Sequence, residues 1–484
     1  MSELYTSTND QDVSRLVIVS NRLPVTIRNK ENDSWEIIPG SGGLVTALSP
    51  IMSQHKGAWI GWSGISSTVE LKHELEKSRA EMGYELKLVP LSNIEVQKYY
   101  LGFSNEILWP LFHDLQSRCY FDPEYWVEYQ SANSRFADIV AENTEETDFV
   151  WVHDYHLMLV AKELKNMGAK RKTAFFLHTP FPSIDIYIKL PWHSKILKAI
   201  LEYDLIGFQT IRDRNNFLQS VCYLMKNIRC DARKRISNVI FQDRKIQVGV
   251  FPISIDYNEF AGRAMDRKVT KHSNLLKQAL RNRKIILGVE RLDYSKGIPE
   301  RLKAFRNALH RYSDLVEKVT FVQIVVPSRG EIPEYNDLKN EIEMLVSEIN
   351  GEFTQPGWVP VHYMYRSLKR GELIAYYKAS DIALVTPLKD GMNLIAKEYC
   401  AAKTQNNGVL ILSRFAGASY QLGKNSLQVN PYDIEGCADA IYRAYTMEEH
   451  EIKSRMVKLR KSIKKRDIYW WADSFLTSAG YNPQ

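Results

Sequence analysis

The chain has 484 residues, 44% of them hydrophobic and 25% charged, which is more than one hydrophobic core usually serves and fits a globular protein of two domains. A formal net charge of +7 suits anionic small molecules, is too dispersed to argue for nucleic acid, and accompanies no apolar run near the roughly 18 residues of a membrane span. Five cysteines, an odd number without a C-x-x-C pair, speak against a disulfide framework or a zinc site and point to a reducing, cytoplasmic compartment.

Residues 1–14 are polar and lack the apolar segment of a signal peptide, so they read as a disordered tail. Short apolar runs at 16–19, 59–62, 86–89, 149–152, 174–177 and 205–208 predict strands, and the segments between them carry helical patterns. A polar, proline-containing loop is expected from the first strand to Gly42-Gly43, then a helix over 44–53. Ser92-x-x-Glu95 is a capping box opening a helix over 96–101, and Asp122-Pro123 supplies an N-cap and first-turn proline for a long helix ending near Glu142. Residues 248–260 close this half, with a hinge at 252/253.

Strands at 284–289, 320–325, 359–363, 381–385 and 409–412 restart the alternation. The basic run 458–467 reads as the solvated face of a helix, and 468–476, with Trp470 and Trp471, as an apolar helix that docks elsewhere. The expected architecture is α/β: two facing doubly wound Rossmann-like domains with a cleft between them, 15–252 and 253–466, and a C-terminal segment 467–484 that packs back on the first.

After the first strand the chain reads Ser20-Asn21-Arg22, not G-x-G-x-x-G; no Walker A motif is present, and the one D-x-D, Asp10-Gln11-Asp12, lies in the tail. Candidate sites sit where strands end. Ser41-Gly42-Gly43-Leu44 is a glycine-rich helix entry, equally well a plain turn. His153, Asp154, His156 and His178 follow two strands; singly each histidine is more economically a locally satisfied group, and together they favour a ligand site. Arg291, Lys296 and Arg329 put cations at two strand ends of the second half. The run from Asp381 to Lys403 predicts strand, turn and helix, so that amides at Gly391, Met392, Asn393 and Leu394 meet an anion and Glu398, two turns in, leans back toward the same ligand.

The stretches around Asn21-Arg22, Gly42-Gly43, Gly61-Trp62, YLGFSNEILW (100–109), HDYHL, FLHTPFP, ERLDYSKG, PSRG and DGMNLIAKE together closely resemble the trehalose-6-phosphate synthases, in register from about residue 15 to residue 476. The resemblance implies a GT-B fold and a retaining glucosyltransferase. Its donor would be UDP-glucose, with ADP and GDP left open, its acceptor glucose 6-phosphate and its product α,α-linked; it implies no cofactor and no metal. It assigns Arg22, Tyr100, Trp109 and Arg329 to the acceptor phosphate and Asp154 to the acceptor sugar. On the donor side it assigns His178 and Asp390 to the glucose, Arg291 and Lys296 to the diphosphate, Gly43 and the Gly391–Leu394 amides to backbone contacts, and Glu398 to the ribose. Glu290 stands where the family often has Asp, and Arg414 where an uncharged or acidic residue is commoner. The partners expected are the two small substrates, with neither nucleic acid nor membrane; a homo-oligomer is allowed, and a separate phosphatase removes the product phosphate. A related transferase with a glycerol phosphate or cyclitol phosphate acceptor, or a non-catalytic sugar-phosphate sensor, remains open.

Overall fold

The computed structural model describes residues 15–29, 35–40, 43–55, 57–65, 82–226, 228–231, 236–328 and 332–481. They form two compact units, the first ending at Phe251 and regaining the chain from Ala472, the second running from Pro252 to Trp471.

In the first unit the strands are β1 (Leu16–Arg22), β2 (Val25–Asn29), β3 (Trp35–Pro39), β4 (Ala58–Trp62), β5 (Glu85–Leu88), β6 (Phe149–His153), β7 (Lys172–Leu177), β8 (Leu205–Phe208), β9 (Arg229–Asp231), β10 (Ile236–Phe241) and β11 (Arg244–Val250). Nine of them make one sheet in the order β5-β4-β1-β6-β7-β8-β11-β10-β9. The run from β5 to β11 is parallel, and β10 and β9 add antiparallel to its edge. Leu16 to Val19 and Phe149 to Val152 are wholly buried, as continuous apolar runs in a sheet covered on both faces require. The order reverses between β1 and β6, the place where open α/β sheets bind their ligands.

The second unit holds β12 (Lys284–Arg291), β13 (Val319–Val326), β14 (Val361–Tyr365), β15 (Ile382–Val385), β16 (Val409–Ser413) and β17 (Leu427–Val429), all parallel, in the order β14-β13-β12-β15-β16-β17. Its switch point lies between β12 and β15. The basic run belongs to the helix Glu449–Lys465, which buries Met456, Leu459 and Ile463 and leaves its lysines outward.

Several local expectations change. The loop after β1 contains an antiparallel hairpin, β2 with β3. The helix expected over 96–101 continues to Leu108 as a 13-residue segment with i→i+5 hydrogen bonding, a rare form that recurs at functional sites. Both arms of the Ser92/Glu95 capping box are made, and the Asp122 carboxylate accepts from the Glu124 amide.

The terminal helix Ile468–Ser478 contributes Phe475 to the first unit, stacked on Trp151 at 4.3 Å between ring centres and edge-on to Phe176 and Phe251. All four rings are buried. Phe475→Ala is expected to destabilise the first unit by about 3–5 kcal/mol through the lost burial and the cavity left. Urea unfolding followed by tryptophan fluorescence measures it, and an unchanged midpoint would show that the helix does not brace the sheet.

Candidate active site

In the first unit the site is built at the ends of β1, β6 and β7. Residues Ser20 and Asn21 are pinned as β1 leaves the register of β4: Trp59 Nε1 donates to Ser20 Oγ at 2.8 Å, and the Tyr99 hydroxyl to Asn21 Oδ1 at 2.9 Å. Arg22 then projects outward with its guanidinium 4.1 Å above the Trp62 ring and 5.4 Å from that of Tyr100. Gly64, at φ +94°, leaves the space that guanidinium fills, since a Cβ there would fall 1.6 Å from Arg22 Nη1. Tyr100 stacks on His156 at 6.0 Å, His156 meets Tyr155 at a tilt at 4.0 Å, and Tyr155 meets Trp109 at 5.8 Å. Asn105 ties this run to the wide helix, donating to the Tyr100 carbonyl at 2.6 Å and accepting from the Tyr155 hydroxyl at 3.2 Å. Arg22 and Tyr100 are thus brought together directly. Trp109 is buried at the far end of the same aromatic run.

Asp154, just past β6, sits at φ 75°, ψ 167°, a conformation an L-residue adopts only under constraint. Two hydrogen bonds to the next strand hold it: its amide donates to the Phe176 carbonyl at 2.8 Å and its carboxylate accepts from the His178 amide at 3.2 Å. The His178 and His153 rings meet at 3.0 Å, His178 Nε2 to His153 Nδ1, and Gln209 Nε2 lies 3.4 Å from His178 Nδ1. Burial lowers the pKa of both histidines, that of His178 to about 3, and each is neutral at physiological pH. Gly43 opens the helix Gly43–His55 and is exposed, whereas Ser41 and Gly42 lie outside the described residues.

In the second unit the strand-turn-helix forms as expected, with the helix at Leu394–Ala402 and Asn393 as its N-cap, accepting from the Ala396 amide at 3.2 Å. The preceding turn is strapped on two sides. The Leu388 amide donates to the Ser295 carbonyl at 2.8 Å, the Gly417 amide to the Asp390 carbonyl at 3.0 Å and the Ala418 amide to the Met392 carbonyl at 2.7 Å. Gly417 has no room for a side chain, because a Cβ would lie 1.8 Å from the Gly391 oxygen. Asp390 Oδ2 accepts from Lys296 Nζ at 2.8 Å and from Asn393 Nδ2 at 3.3 Å. Lys296 is only 7% exposed, and Arg291 is far more open, 3.5 Å from Asp293. The Glu398 carboxylate accepts from the Tyr377 hydroxyl at 2.8 Å, and burial raises its pKa.

Beneath these residues Arg301, 1% exposed, reaches four groups: Glu290 Oε1 at 3.1 Å, Gln323 Oε1 at 3.3 Å, Thr386 Oγ1 at 3.0 Å and the Lys296 carbonyl at 3.3 Å. Glu290 is therefore the counter-ion of a buried guanidinium. Arg329 lies outside the described residues, as does Asp10-Gln11-Asp12; Arg414 is exposed after β16, its amide donating to the Val429 carbonyl at 2.9 Å. Gly64, Arg301, Gln209 and Tyr377 were not singled out in the sequence, and Trp62 and Asn105, although within the stretches that carry the resemblance, were given no role, because each acts by holding or making room for another group.

Among the described residues no group of three or more His, Cys, Asp or Glu side chains is arranged to hold a metal ion, and no helix is long and apolar enough to cross a membrane. The first sheet carries Arg22, Asp154 and two histidines at the ends of β1, β6 and β7, and the second carries Arg291, Lys296 and a capped helix N-terminus beside its switch point, in a two-domain α/β protein. The model of glycosyltransferase family 20 matches residues 14–480, and the chain belongs to that family. It is 41% identical over 478 residues to the trehalose-6-phosphate synthase of Mycobacterium leprae, covering 97% of this chain and 95% of that one. It is 39% identical to the UDP-forming alpha,alpha-trehalose-phosphate synthase A of Dictyostelium discoideum, covering 96% of this chain and 62% of that protein. Among solved structures, the UDP-forming alpha,alpha-trehalose-phosphate synthase of Burkholderia xenovorans in complex with glucose-6-phosphate superposes with a TM-score of 0.87 at 33% identity, covering 96% of this chain and all of that one. The E. coli trehalose-6-phosphate protein bound with UDP-2-fluoro glucose gives 0.85 at 36%, covering 96% of this chain and 99% of that one.

The histidine pair, His153 buried and His178 half-buried, makes the first unit sensitive to acid. The folded-state pKa of His178 lies near 3 and that of His153 is also lowered, below the roughly 6.5 of an unfolded histidine, so between these values only the unfolded chain takes up the protons. Stability is full above about pH 6.5 and falls as pH drops. From pH 7 to pH 5 the expected loss is about 2 kcal/mol for each histidine, measured by urea titration at each pH, and His153→Asn should remove about half of it. An acid-insensitive midpoint would mean that these imidazoles are hydrated.

Proposed function

We propose that the chain is a retaining glucosyltransferase that moves glucose from UDP-glucose to glucose 6-phosphate, giving α,α-trehalose 6-phosphate and UDP. The observation that carries the reading is the turn before the helix Leu394–Ala402, where Lys296 and Asp390 neutralise each other 2.8 Å apart beside a capped helix N-terminus. A nucleoside diphosphate-hexose would separate that pair. Its diphosphate takes Lys296, Arg291 and the amides of Gly391 to Leu394, and Asp390, released, accepts a hydroxyl of the hexose. Glu398 binds the ribose, His178 the hexose, and Gly43 offers backbone to the donor.

On the acceptor side Arg22, Tyr100, Trp109 and Arg329 take the phosphate and Asp154 the sugar. The stacking of Arg22 on Trp62 and Tyr100 supports this, since it fixes a fork that would otherwise lose side-chain freedom on binding. In the reaction the acceptor C1 hydroxyl attacks the donor's anomeric carbon on the face the diphosphate leaves. The anomeric C–O bond breaks as the new one forms, and the hydroxyl proton passes to the departing phosphate oxygen. Arg291, Lys296 and the helix N-terminus stabilise the charge that develops there. The groups assigned to the diphosphate are cations and amides, a set that neutralises it directly, so turnover is expected to withstand EDTA.

Lys296→Ala is expected to lower turnover by roughly 10- to 150-fold, the loss of one charge-assisted contact. Arg22→Ala is expected to raise the apparent KM for glucose 6-phosphate roughly tenfold with UDP affinity nearly unchanged, and unphosphorylated glucose to be a very poor acceptor. Following UDP release with each substrate pair tests all three. Equal turnover with glucose and glucose 6-phosphate, or Arg22→Ala losing UDP binding instead, would overturn the acceptor assignment.

A further inference from the structure

The proposed donor contact at His178 depends on which of its ring nitrogens carries the proton, and the neighbouring groups determine this. His178 Nε2 and His153 Nδ1 are 3.0 Å apart, so one proton lies between them. Both rings are neutral, and each therefore carries a single N–H. If His178 donates from Nε2, His153 must bear its own hydrogen on Nε2, an atom that is buried and has no hydrogen-bond partner. If His153 donates from Nδ1, its Nε2 is a bare lone pair and His178 carries its hydrogen on Nδ1. An orphaned buried N–H is the rarer and costlier defect. The surroundings of His153 keep it so: the ring has no exposed surface, lies 4.6 Å from the Trp151 ring, and belongs to β6 opposite Phe176.

We infer that His153 is a positioning residue that fixes the tautomer of His178, holding its proton on Nδ1 so that this atom is the hydrogen-bond donor offered to the hexose of the sugar nucleotide. The inference rests on the proposed donor role of His178. Gln209 Nε2 lies 3.4 Å from Nδ1, and with the proton on Nδ1 the Gln209 amide turns over, so that its oxygen accepts that proton until a sugar hydroxyl replaces it. The backbone amide of His178 is already committed to the Asp154 carboxylate, so the ring is fixed at its base as well as through Nε2.

Long-range proton–nitrogen NMR correlation on the full chain, labelled with ¹⁵N-histidine, reads the tautomer directly. The wild-type protein is expected to show His178 protonated on Nδ1. His153→Asn, which keeps a donor near the Nδ1 position, is expected to preserve that pattern and kcat within roughly threefold. His153→Leu, which removes the donor, is expected to shift His178 toward the Nε2 form and lower kcat with UDP-glucose roughly tenfold or more, with KM for glucose 6-phosphate little changed. A wild-type His178 protonated on Nε2, or a tautomer unchanged in His153→Leu, overturns the inference. If the leucine variant fails to fold, the wild-type and asparagine spectra still decide. Absence of UDP release by wild-type protein would instead defeat the proposed function, and the spectra distinguish the two failures.

Discussion

The second unit is organised around a guanidinium that has no access to water. Isolating Arg301 in a protein interior would cost several kcal/mol, and its position is tolerable only because four acceptors converge on it. Those acceptors come from the end of β12, from β13, from the residue after β15 and from the carbonyl of Lys296. One side chain thereby joins both strands that flank the switch point to the turn that carries a proposed phosphate-binding cation. Burial raises the pKa of Glu290 against the pull of Arg301, so the pair is held together by mutual need, and removing either partner would strand the other.

A similar logic runs through the first unit with aromatic groups in place of ions. Arg22 is proposed to bind an anion, and an unrestrained arginine would lose much side-chain entropy on doing so. Packing it against Trp62 and Tyr100, with Gly64 leaving the space, restricts it beforehand without neutralising its charge. The constrained backbone of Asp154 belongs to the same economy, since two hydrogen bonds to the β7 end hold a conformation that an isolated residue would leave. In both sheets the groups assigned to ligands are aimed by other groups, such as Trp62 and Arg301, that are themselves buried.

This division explains what was legible in the sequence. The central strands were readable because parallel strands buried on both faces leave continuous apolar runs, as at 149–152 and 382–385, and the helix Leu394–Ala402 because a glycine turn and an asparagine cap precede it. Strand-end residues such as Asp154, His178, Arg291 and Lys296 stood out because charged and titratable groups interrupt apolar runs there. The hairpin of β2 and β3 did not, since its strands are short, partly polar and separated by no two-residue turn signature. Nothing local announces i→i+5 bonding over Val96–Leu108; Asn105, which bonds the Tyr100 carbonyl, is part of its tertiary context. Arg301 was invisible for the opposite reason, because an arginine on a helix is ordinarily solvated and only the fold reveals that this one is not.

The central claim is the stereochemistry and identity of the transfer, and one measurement addresses it most directly. UDP-glucose labelled with ¹³C at its anomeric carbon, incubated with the protein and glucose 6-phosphate, is followed by NMR. The account predicts a labelled α-configured anomeric carbon joined to the α-anomeric carbon of the acceptor, appearing in step with UDP. A β-configured product, a linkage to any other hydroxyl of the acceptor, or label released only as free glucose would contradict it.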